Sequence, residues 1–113
     1  MVRSVLETQS RFQVCAEVPD GAKAIEEAKR LKPDVVILNV NMPIINGFDA
    51  AREIKATLPG TAIVILSAYA DIHFIEEAQK IGVNAYVAKI EAEVQLVTAI
   101  DTTVSGGKSV LLE

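Results

Sequence analysis

Residues 33–55 read PDVVILNVNMPIINGFDAAREIK, and this stretch decides the fold. Between Asp34 and Asn39 runs a continuous apolar segment, VVIL, rich in β-branched residues and closed by a polar side chain. It is too short for a typical helix, and with no polar alternation it reads as a strand buried on both faces. Pro43 and Gly47 punctuate a loop. Asn46 followed by Asp49 has the form of a helix N-cap, and the helix so opened is expected to reach about Leu58, where Pro59-Gly60 stops it.

Downstream the same pattern repeats. Thr61 to Leu66 (TAIVIL) is a second buried strand. Asp71 can cap a helix in which Ile72, Ile75, Ala78 and Ile81 face inward, with Gly82 as its C-terminal stop. Ala85 to Ala88 is a short strand. A last helix is expected from about Ala92 to Val104, ending at Gly106-Gly107, followed by the apolar run Ser109 to Leu112. Upstream, Ala22, Ile25, Ala28 and Leu31 recur at helical spacing behind a capping Asp20, and Pro33 closes that helix region. Phe12 to Val18 reads as a strand, and Met1 to Ser10 as a short helix. Strands alternating with helices imply crossover units, a parallel sheet and a three-layer α/β sandwich.

The bulk properties agree. The chain has 113 residues, 50% of them hydrophobic but only 4% aromatic, so one domain with a core of Val, Ile, Leu and Ala is expected. A net charge of −4 argues against direct nucleic-acid binding, which needs clustered Lys and Arg. The single cysteine, Cys15, excludes an intramolecular disulfide and reads as a small core residue. No run spans a bilayer and no signal peptide is evident, so a cytoplasmic location is expected.

In an open α/β sheet, function gathers at the carboxyl ends of the strands. Those ends carry Asn39, Ser67 and Lys89; the plain alternative is that they are ordinary polar strand ends. The opening stretch resembles the phosphoacceptor strand, loop and third helix of response-regulator receiver domains. Met42-Pro43 and Asn46-Gly47 fall where that family has its Met-Pro and Asn-Gly pairs. IVILSAYAD (63–71) is similar to the family's fourth strand, with Ser67 at the switch Ser/Thr position. GVNAYVAK (82–89) is similar to its fifth strand, with Tyr86 at the switch aromatic and Lys89 at the family lysine. The closing helix and VSGGKSVL look most like the LuxR-like subgroup. The resemblance covers nearly the whole chain. It implies a flavodoxin-like sheet of order 2-1-3-4-5 and a signalling role in two-component phosphorelay rather than an enzyme. It also implies a partner surface, or a dimer, on the face of the fourth helix, fifth strand and fifth helix.

Two departures stand against the family pattern. Asn39 occupies the phosphoacceptor aspartate position, and a neutral carboxamide is a poor oxygen nucleophile. The sequence also aligns from inside the family's first helix, so the first strand and the acidic pair that binds Mg²⁺ have no counterpart at the start. Mg²⁺ prefers carboxylate oxygens, so no metal or other cofactor is expected. The nearest carboxylate, Asp34, belongs at the opposite end of its strand.

A receiver sheet without its central strand would expose apolar edges. The candidate to fill the slot is Lys108 to Glu113 (KSVLLE), entering parallel to its neighbours within one chain or by exchange between two. The alternative is a frayed tail. Glu113 would then approach the old acidic corner. The reading is thus an interaction module independent of phosphorylation. The alternatives are a receiver using another acceptor such as Asp49 or Asp71, or a small-molecule sensor at the sheet edge. SGGKS follows a helix, not a strand, and is set aside as a phosphate loop. His73 reads as a surface histidine, and Tyr69 and Phe74 as packing residues.

Overall fold

A computed structural model describes residues 12–40, 47–67, 72–88 and 108–112. The expected helices over Met1–Ser10 and Ala92–Val104, the Asn46 and Asp71 caps, the Met42-Pro43 pair, Tyr69, Lys89 and Glu113 lie outside the described residues.

Five strands and three helices are described: β1 (Phe12–Glu17), α1 (Gly21–Leu31), β2 (Val35–Asn39), α2 (Gly47–Thr57), β3 (Ala62–Ser67), α3 (Ile72–Ile81), β4 (Ala85–Ala88) and β5 (Lys108–Leu112). Local chemistry sets the helix ends. The Asp20 carboxylate accepts the Lys23 amide at 2.8 Å, satisfying one free donor of the first turn of α1. Lys32 turns left-handed (φ 48°) after that helix, and its amide donates to the Ala28 carbonyl at 2.8 Å. Gly82, at φ 88°, stops α3 in a conformation that favours glycine.

All strand pairs are parallel, in the order β1-β5-β2-β3-β4. The C-terminal run therefore fills the central slot, as edge protection required. Against the order 2-1-3-4-5, the last strand stands where the family's first strand would be. Val110 pairs with Val14 on one side and Val35 on the other, and Leu111 is fully buried. The β1–β5 register slips between Val14 and Ala16, leaving Cys15 as an extra residue on the bulged strand. Cys15 is half-buried against the core rather than within it. Burial pushes its thiol pKa above the ordinary value, with nearby Asp34 and Glu27 adding to the effect.

Side-chain alternation divides the sheet. Val36, Leu38, Ile63, Ile65 and Leu111 share one core with Ala24 and Ala28 of α1, Ala50, Ala51 and Ile54 of α2, and Ala78 of α3. Val35, Ile37, Val64 and Leu66, on the other face, are at most 1% exposed. A sheet buried on both faces is the three-layer arrangement expected.

Ile72 departs from the sequence reading. It is 58% exposed, while Ala78 is buried. Residues three apart advance about 300° on a helix, so an i, i+3, i+6 series slides around the surface. Ile72 thus points about 120° away from Ala78.

Candidate functional site

The carboxyl edge of the sheet is built from the ends of β2, β3 and β4. Asn39 and Ser67 are the last residues of their strands rather than the first beyond them. Asn39 pairs in register with Leu66, and Ser67 with Ala88. The ladder runs one residue past Asn39, where the Val40 amide donates to the Leu66 carbonyl at 3.0 Å. The Val40 carbonyl in turn accepts the Gly47 amide at 3.0 Å, which brings the start of α2 down onto the end of β2. A Cβ on Gly47 would lie 2.1 Å from the Asn39 carbonyl oxygen, so only glycine fits this approach. The positive end of the α2 dipole therefore stands at the Asn39 backbone.

Ser67 is 2% exposed, whereas Asn39 and Tyr86 are half-buried. Tyr86 pairs with Ile65, so alternation puts Tyr86 and Ser67 on the same face of the sheet as diagonal neighbours. Two residues along a strand and one strand across put their Cα atoms about 8 Å apart, within reach of a tyrosine ring. Asn39, aligned with Leu66, belongs to the opposite pleat. Asn39, Ser67 and Tyr86 all engage partners in the structure. Of the four expected site residues, the structure thus places two side by side on one pleat and one at the adjacent strand end, and Lys89 lies outside the described residues.

The described residues at this edge are not a donor set that suits Mg²⁺. The group ending β2 is a carboxamide, and among the described residues no three Asp, Glu, His or Cys side chains come together. Leu112 of β5 stands opposite Ile37, two residues short of Asn39. Asp34 precedes β2 at the amino end, where its carbonyl accepts the Ala62 amide at 3.0 Å. Asp49 is exposed in the first turn of α2 and bonded to Arg52 at 2.6 Å.

A second polar feature, not foreseen from the sequence, lies between α2 and α3. Arg52 bonds both Asp49 and Glu77, bridging the two helices. Beside it, Phe48 and Phe74 meet edge to face, with ring centroids 5.7 Å apart at 60°. Phe74 is thus a packing residue, and His73 is exposed.

Residues 1–101 match the response regulator receiver domain family. The chain belongs to that family. Strand β5 lies beyond the matched residues, so the family pattern does not itself specify it. The receiver is 33% identical over 104 residues to the transcriptional regulatory protein LnrK of Bacillus subtilis, covering 92% of this chain and 47% of that protein. It is 34% identical over 89 residues to the chemotaxis protein CheY of Thermotoga maritima, covering 79% of this chain and 73% of CheY. Among solved structures, the signal receiver domain of the putative response regulator NarL from Mycobacterium tuberculosis superposes with a TM-score of 0.83 at 28% identity, covering 90% of this chain and 83% of that one. A LuxR-family two-component response regulator from Aurantimonas superposes with a TM-score of 0.86 at 26% identity, covering 96% and 77%. The receiver spans about half the length of the transcriptional regulators it matches first, at 47%, 45% and 48% of their chains. Receivers are signalling modules of two-component systems, and this one has the flavodoxin-like fold of its relatives. No helix among the described residues is long and apolar enough to cross a membrane.

Proposed function

We propose that this receiver works as a protein-interaction module whose signalling state is not set by phosphorylation at the usual strand end. The observation that carries the reading is Asn39, closing β2 under the N-terminus of α2, where aspartyl-phosphate chemistry needs a carboxylate nucleophile. Its amide oxygen is neutral and brings no charge to a metal. The described neighbours of β2 on β5, Val110, Leu111 and Leu112, are apolar and bring no carboxylate to it. Ser67 and Tyr86 keep the diagonal placement through which a strand end can be coupled to a helical face, and in this reading, with Lys89, they support one fixed state around Asn39. The partner face is that of α3 and β4 with the segment after them, used for a partner protein or for self-association without direct nucleic-acid contact. A dimer joined by exchange of β5 is part of the same proposal.

Asp49 is the alternative acceptor among the described residues. Its ion pair with Arg52, on the exposed flank of α2, sets it apart from the strand ends where the chemistry would converge. The deciding experiment is intact mass after incubation with acetyl phosphate and Mg²⁺, run on the parent chain and on Asn39→Asp. Neither is expected to gain a stoichiometric phosphoryl group, because restoring one carboxylate does not restore a metal site. A full adduct on the parent chain would overturn the reading and require mapping of a new acceptor.

A further inference from the structure

We infer that the furrow between α2 and α3 is a docking site for an acidic, amphipathic helical segment of a partner protein. The inference rests on reading the chain as an interaction module but not on its independence from phosphorylation, and it uses a flank of α3 different from the partner face proposed above.

Two adjoining hollows of about 350 and about 370 Å³ lie between the helices and share Arg52 and Glu77. One hollow is cationic. It is lined by Arg52, Lys55 and Lys80 against a single carboxylate, Glu77, with Ala56 and Ile81 as its apolar walls. Arg52 is neutralised by Asp49 and Glu77, but Lys55 and Lys80 have no ion-pair partner among the described residues. Lys23, Lys29 and Arg30 are each paired, and Lys32 stands alone at the end of α1, whereas Lys55 and Lys80 line the same hollow. Lys55 is also half-buried, so its charge is held where solvent compensates it less. A local excess of positive charge in a chain of net charge −4 favours an anionic occupant.

The other hollow is aromatic, with Phe48 and Phe74 on its floor. Phe48 and Lys55 are seven residues apart on α2, two helical turns or about 10 Å. The complementary partner is a helix carrying an apolar side chain and, about two turns away, one or two carboxylates. Its apolar residue would cover Phe74 while its acids meet Lys55 and Lys80.

The test uses the full chain and a fluorescein-labelled, alanine-based 18-residue helical peptide with two Leu and, two turns on, two Glu. Saturable binding by anisotropy is expected with Kd on the order of 10–100 µM at low salt. The double variant Lys55→Glu/Lys80→Glu should weaken it at least tenfold, while Lys23→Glu/Lys32→Glu, of equal net charge, should leave it within about twofold. Amide shift changes should map to α2 and α3. Equal losses in the two double variants, shifts elsewhere, or no saturation below about 1 mM would each overturn the proposal. So would self-association of the chain alone that Lys55→Glu/Lys80→Glu abolishes, which would make a second copy the occupant.

Discussion

At Gly47 the chain has no room for a side chain. A Cβ there would meet the Asn39 carbonyl oxygen at 2.1 Å and the Val40 Cα at 3.1 Å, and all of these contacts are backbone, which cannot rotate aside. Gly47→Ala must push α2 off the end of β2 or break the Gly47–Val40 hydrogen bond. Overpacking of this kind costs about 1–3 kcal/mol, which for a domain of this size lowers Tm by roughly 4 °C per kcal/mol. Gly60→Ala is the matched control: no atom lies within 4 Å of a Cβ built there. Its Tm should change little, or rise slightly through reduced freedom of the unfolded chain. Thermal melts of the two variants check this, and equal Tm values would remove the claim that α2 is seated on Asn39. The contact also bears on function, because it holds the Asn39 backbone in place whatever side chain it carries.

Among the elements, β5 does most to complete the sheet, and its single described core side chain, Leu111, is fully buried between β1 and β2. Leu111→Ala should destabilise the fold by about 2–5 kcal/mol, the range for emptying a tight core site. It should also speed amide hydrogen exchange at Val36 and Ala16, which face Leu111 in the ladder. A stability loss below 1 kcal/mol, with protection unchanged, would mean that β5 does not occupy the slot. The presence of this strand was legible in the sequence because a sheet lacking its centre cannot leave apolar edges bare. Its register was not, since the slip at Cys15 depends on both neighbours at once. β2 and β3 were legible as uninterrupted apolar runs, and their polar ends, Asn39 and Ser67, marked the edge. The face of α3 was misread at Ile72 because a spacing of three residues drifts around a helix of 3.6 residues per turn. The Arg52–Glu77 bridge joins residues 25 apart in sequence, so no local pattern announces it. The pairing of Ser67 with Tyr86 likewise needed the register of two strands.

For the molecule as a whole, the question is which copy supplies β5. The strand is joined to β4 through residues 89–107, nineteen positions that could reach roughly 40 Å even with the expected helix over Ala92–Val104 intact. The longest dimension of the molecule is 33 Å. A strand so tethered can reach the slot of a neighbouring copy and make the same ladder there, which is the condition for low-cost domain exchange. Because the contacts are identical, tether length and concentration decide between the closed monomer and the exchanged dimer. The monomer should therefore dominate in dilute solution. Incubation near millimolar concentration in mild denaturant, followed by its removal, should leave a dimer fraction that persists on rapid dilution. Exchange back requires β5 to leave the core, so it should be slow. Light scattering after size exclusion measures that fraction. Mixed isotope labelling then tests its origin, because Leu111 of one copy should show contacts to Val36 of the other, its partner in register. A dimer lacking those contacts, or one that dissociates at once on dilution, would be a surface association and would place β5 firmly within its own chain.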